Sequence, residues 1–179
     1  MRISCGAVAA LLFLQAPAAA MAGSCSAKNA RYVQAGSSGV TATLVPAGSD
    51  GTAASDLLFI VKLKAHAYRF RFQQSNGYGG ISIEPIRQLK QDREGQPVEL
   101  SSDMPDIRFI PYRADLTEMA DAPRSDGQAP QFIVLPELGS VLWYDASALG
   151  GPKQREAMSR SAFALSGCDR ETGSGNARR

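Results

Sequence analysis

The chain contains a single histidine, His66, and that fact narrows the chemistry open to it. A Ser-His-Asp arrangement would have to use His66 as its base. No G-x-S-x-G elbow accompanies it, so His66 is expected to be a turn or packing residue. Zinc takes three or four His, Cys or carboxylate ligands. One histidine and three cysteines, of which Cys5 lies in an expected leader, do not supply the nitrogen and sulfur. The expectation is no catalytic residue, no metal and no cofactor.

Carboxylates are denser between Asp103 and Asp126. Asp115, Glu118 and Asp121 stand at i, i+3 and i+6, so one or two helical turns over 114–122 would put them on one face. Such oxygens suit calcium, and a pair of carboxylates at the right separation hydrolyses glycosides. There is no D-x-D-x-D-G loop, and Arg113 and Arg124 flank the group. A solvated face is expected, with a carboxylate-based hydrolase acting on an envelope polymer as the alternative function. Gly77, Gly79 and Gly80 lack the lysine and the helix of a phosphate loop. With Asn76 they form a hairpin turn instead, because both residues of Asn-Gly tolerate positive φ.

The most informative local feature is charge. Lys62, Lys64, Arg69 and Arg71 alternate with Leu57, Phe59, Val61, Leu63, Tyr68, Phe70 and Phe72. The cations therefore fall on the face opposite the apolar side chains. Four like charges on one hairpin face repel unless acids such as Glu84 cross from a neighbouring strand, or unless the face meets an anion. Trp143 and Tyr144 are the second candidate: on a regular strand one of them points outward, and aromatic residues are frequent interface anchors. The expected binding residues are thus Lys62, Lys64, Arg69, Arg71, Trp143 and Tyr144. The expected partner is an acidic protein or an anionic envelope polymer. The whole chain has 19 Lys and Arg against 17 Asp and Glu, a net charge of +2, which gives no argument for nucleic acid.

These side chains need a scaffold, and the apolar pattern is mostly of period two. Short strands are expected at Val40–Val45, Leu57–Leu63, Tyr68–Phe72, Ile81–Ile86 and Ile107–Tyr112, the last at a sheet edge because of Pro111. The apolar parity shifts between Leu63 and Tyr68, which predicts a bulge or tight turn around residues 65–67. Gln131–Leu135 and Val141–Tyr144 read as the arms of a hairpin turning at residues 136–139. Gln88–Asp103 is a polar connection. Pro152 fits the first turn of a helix, and Met158, Ala162 and Leu165 share a face up to Gly167. The predicted fold is mainly β, an antiparallel sandwich or partly open barrel with one C-terminal α-helix at about 152–165.

Residues 1–22 have the three parts of a secretory signal peptide: Arg2, an apolar stretch at Ala7–Leu14, and an A-x-A cleavage site at Ala20 and Ala22. Residues 23–169 then form one β-rich envelope domain, and 170–179 a disordered polar tail. The protein is expected to be periplasmic or secreted. In an oxidising compartment Cys25 and Cys168 pair, tying the first strand to the last element. The alternative is a loose lipobox at 21–25, with Cys25 lipidated, a membrane anchor and a structural role as an outer-membrane lipoprotein.

Overall fold

The computed structural model describes residues 25–64, 66–75, 80–86, 107–151 and 155–169. The expected leader, the turn at 76–79, the whole 88–103 connection and the tail lie outside these residues. The described residues form nine strands: β1 (Ala30–Gln34), β2 (Ser37–Pro46), β3 (Leu57–Leu63), β4 (His66–Gln74), β5 (Ile81–Pro85), β6 (Ile107–Arg108), β7 (Ile110–Tyr112), β8 (Phe132–Val134) and β9 (Phe163–Cys168). Every neighbouring pair is antiparallel. They form one sheet in the order β6-β5-β4-β3-β2-β1-β9-β8-β7. Its two end strands, β6 and β7, are separated in the chain by Phe109 alone, so the sheet nearly closes on itself. This is the partly open, mainly β barrel with one helix that the alternation implies. Pro111 stands on the terminal strand β7, where its missing N–H interrupts no outer ladder.

The registers follow from the alternation. Leu63 pairs with His66 and Phe59 with Phe70, so two residues separate the paired ends of β3 and β4. Lys64 takes φ +52° there. That separation moves the apolar set from odd positions on β3 to even positions on β4; the expected bulge or tight turn includes residue 65, which lies outside the described residues. Inside the barrel, Phe59, Phe109, Phe72 and Phe163 meet edge to face. All are fully buried, and each contributes about 1.5–3 kcal/mol of burial.

Cys25 and Cys168 form a disulfide, with Cα atoms 5.8 Å apart and a sequence separation of 143. Cys168 lies opposite Ala30 on β1, so the bond closes the chain where its first and last strands pair. A sulfur in this bond has no thiol left to lipidate.

Three local expectations are corrected. The helix is α1 at Leu138–Asp145, where a strand at Val141–Tyr144 was expected, and it runs into a 3-10 turn at Ala146–Leu149. Leu138, Leu142, Ala146 and Leu149 are all buried, and their spacing is helical, which outweighs the strand propensity of Val-Leu-Trp-Tyr. The expected helix at 152–165 is absent among the described residues. Residues 155–162 are irregular, and Phe163–Cys168 is instead β9, bridging β1 and β8. That position satisfies backbone groups on both sides and buries Phe163, which outweighs the helical pattern of the segment. Residues 114–122 are turns with one isolated bridge, Tyr112 to Glu118, and Leu116 has φ +63°. No helix face gathers Asp115, Glu118 and Asp121.

Candidate functional site

The cross-strand registers place the predicted cations. Arg71 lies between Leu58 and Glu84, Arg69 beside Ile60, and Lys62 between Thr41 and Ala67. These side chains point out of the barrel and are exposed. Arg71 is neutralised: its Nε donates to Glu84 Oε2 at 2.8 Å, and Gln73 Nε2 donates to the same oxygen at 3.0 Å. The bond from Arg71 holds the Glu84 carboxyl below the usual carboxylate range. Lys62, Lys64 and Arg69 have no carboxylate partner among the described residues. Among the described residues the hairpin therefore presents three cations without a carboxylate partner, not four.

One end of the barrel carries a buried acid that no sequence pattern announced. Glu156 is 4% exposed. Its Oε1 lies 2.8 Å from His66 Nδ1, and the Tyr68 hydroxyl donates to its Oε2. His66 and Tyr68 share the inward face of β4 at that end, and Tyr68 is 2% exposed. Burial, then the bond to Glu156 and its charge, raise the Tyr68 hydroxyl above its ordinary value. A buried carboxylate is tolerated when its oxygens are hydrogen-bonded, and these two donors meet that need. The backbone N–H of Glu156 donates to Leu142 O of α1 at 3.1 Å. Gln34, buried on β1, donates to Ser159 O at 2.7 Å. The irregular 155–161 segment is thus pinned across the barrel end by β1, β4 and α1. Gly151 is required beside it: a Cβ there would meet Tyr68 Oη at 2.5 Å.

His66 has the orientation of a general base, with Nδ1 on a carboxylate. No hydroxyl or thiol nucleophile bonds it among the described residues. The network acts as an anchor.

What it anchors is one wall of a cleft. Gly139, Ser140, Trp143 and Tyr144 of α1 face Ala157, Met158 and Arg160 across a space of about 230 Å³. Gly139 allows the approach, since a Cβ would meet Met158 O at 3.1 Å. Trp143 is 42% and Tyr144 80% exposed. Both predicted aromatics therefore point outward, because they sit on a helix. The Arg155 guanidinium lies 5.5 Å from the Trp143 ring centroid, within cation–π range. Arg155 and Arg160 have no carboxylate partner among the described residues. The cleft wall is tied to the start of β4 through Glu156, which bonds His66 and lies between Arg155 and Ala157 in the chain.

The three acidic candidates do not assemble. Asp115 Oδ1 accepts from Thr117 N at 2.9 Å, which holds its carboxyl below the usual range. Asp121 Oδ1 lies 3.4 Å from Gln74 Nε2. Asp115 borders an open depression of about 530 Å³ with Arg113, Gln128 and Gln131, but no buried polar group is aimed into it. No group of three metal-ligating side chains occurs among the described residues.

Sequence reasoning missed Glu156, Arg155 and Arg160. The available signal was the Leu138, Leu142, Ala146, Leu149 spacing, which makes α1 a helix and turns the 155–160 segment into its neighbour. No protein-family model matches the chain, and no similar curated protein or solved structure was found.

Proposed function

We propose that this is an exported envelope protein that works as a non-enzymatic interaction module, gripping an acidic protein through the outer face of the β3–β4 hairpin and the adjoining aromatic end of the barrel. The observation that carries this reading is the set Lys62, Lys64 and Arg69: exposed, close along the hairpin and without a carboxylate partner among the described residues. Keeping like charges together is unfavourable, and an anionic partner reverses the sign of that term. Trp143 and Tyr144, exposed on α1, are residue types enriched among those that dominate interface energies. The leader at 1–22 and a disulfide of the kind that persists in oxidising compartments support export.

The test is capture from envelope extracts by the mature protein and by a Lys62→Glu/Lys64→Glu/Arg69→Glu variant, with Arg71 unchanged. The wild type is expected to retain an acidic protein and to lose it as salt shortens the screening length. The variant is expected to retain none. Equal capture by both proteins overturns the assignment of this face. Capture that survives protease treatment of the extract identifies an anionic polymer and overturns the proposed partner class.

A further inference from the structure

We infer that the cleft between α1 and the 157–160 segment seats one apolar side chain of the acidic partner, while Arg155 and Arg160 pair with carboxylates on either side of it. This deepens the proposed function and rests on it.

Size decides what the cleft accepts. Its volume of about 230 Å³ is below the roughly 300–1,000 Å³ of sites that enclose a whole small ligand. It suits a single side chain. Chemistry decides which kind. Trp143 and Met158 offer an indole and a thioether, surfaces that adapt to an inserted aromatic or aliphatic group. The rim is cationic: Arg160 lines the cleft and Arg155 lies over Trp143. At the two ends of α1, Asp145 accepts from Ser147 Oγ at 2.6 Å and Ala148 N at 3.1 Å, and Glu137 pairs with Arg108. The buried acid, Glu156, is satisfied by His66 and Tyr68. None of these acids forms an ion pair with Arg155 or Arg160, so the ligand that completes the two guanidiniums is an apolar residue flanked by Asp or Glu.

The wall is preorganised. Glu156 lies between Arg155 and the lining residue Ala157, and its carboxylate fixes that stretch to β4. Ordering a loop before binding removes a cost that binding otherwise carries. Glu156, His66 and Tyr68 are thus positioning residues for the cleft.

Trp143 is the protein's single tryptophan, so its fluorescence reports on the cleft directly. The experiment titrates the full mature protein with two synthetic pentapeptides of equal charge, Asp-Glu-Phe-Glu-Asp and Asp-Glu-Ala-Glu-Asp. The phenylalanine peptide is expected to shift Trp143 emission saturably and to bind at least tenfold more tightly than the alanine peptide. Arg155→Gln/Arg160→Gln is expected to weaken it tenfold or more at unchanged melting temperature. Met158→Ala is expected to narrow the difference between the two peptides. Equal titration by both peptides overturns the inference. If the Lys62→Glu/Lys64→Glu/Arg69→Glu variant then abolishes binding, the broader reading survives and only the cleft assignment falls. No emission change with either peptide at millimolar concentration also overturns it.

Discussion

Replacing Tyr68 by Phe removes one oxygen and leaves the ring in place, which isolates the hydroxyl's work on Glu156. The carboxylate is 4% exposed and Tyr68 2%, so water cannot substitute for the lost donor. A hydrogen bond to a charged group contributes about 1.5–3 kcal/mol. Stranding a buried charge without any partner costs about 3–5 kcal/mol, an upper limit here because the lost donor is a neutral hydroxyl and His66 remains. The expected loss is about 2–3 kcal/mol, or roughly 5–10 °C in melting temperature for a domain of this size. Glu156→Gln keeps the shape and an acceptor for the hydroxyl but removes the charge. In that background Tyr68→Phe should cost only about 1 kcal/mol, the worth of a neutral bond, leaving a coupling of about 1–2 kcal/mol. Urea unfolding at pH 7, followed by Trp143 emission and by far-ultraviolet circular dichroism, measures all four proteins. Coincident transitions license the free energies. A Tyr68→Phe cost below about 0.5 kcal/mol, or the same cost in both backgrounds, refutes the claim that the hydroxyl stabilises a buried carboxylate.

Three further outcomes follow from the same packing. Replacing both Cys25 and Cys168 by Ala removes a closure of 143 residues; loop entropy sets this at about 5 kcal/mol, so differential scanning calorimetry should show a drop of about 10–20 °C, and an unchanged transition contradicts it. Gly151→Ala drives a Cβ to 2.5 Å from Tyr68 Oη and 2.9 Å from Ala146 O; a loss of about 1–3 kcal/mol in urea unfolding is expected, whereas Gly127→Ala, with its nearest atom at 3.3 Å, should cost less. Burial raises the hydroxyls of Tyr32 and Tyr68 above their ordinary value of 10.0. The folded state therefore holds protons that the unfolded state releases: the contribution is complete below pH 10 and is lost as pH rises above it, by up to about 1.4 kcal/mol per pH unit for each group. Urea midpoints that stay constant to pH 11.5 contradict this.

The strands were legible where a strict alternation met a clear boundary. Tyr68–Phe72 alternates because one face packs against a shared core and the other meets water, while Leu57–Leu63 sends every second residue to the same core and also buries Leu58 on its other face; their pattern and their cation face carried through to β3 and β4. The pairing of Arg71 with Glu84 followed from adjacency in the sheet. The C-terminal half was harder. Val141–Tyr144 has the composition of a strand, yet Leu138, Leu142, Ala146 and Leu149 fit a helical face against the barrel end. The 152–165 stretch has helix-forming residues, but Phe163–Cys168 pairs along β1 and carries the disulfide. Tertiary contacts set both outcomes. Glu156 was illegible for a different reason: its partners His66 and Tyr68 are about ninety residues away (separations of 90 and 88), and an isolated Glu in a polar segment looks like any solvated one. Trp143 and Tyr144 were singled out on the premise of a strand, and the helix exposes both.

The central claim is that one end of the barrel, and no other face, meets the partner. Site-specific photocrosslinking in the producing cell tests it most directly. A photoreactive residue is placed singly at Lys62 and at Tyr144, and for comparison at Thr117 and Ser166, which are also exposed. The account predicts a crosslink from positions 62 and 144 to the same acidic protein and none from 117 or 166. Crosslinks confined to 117 or 166, or none from 62 and 144, contradict it.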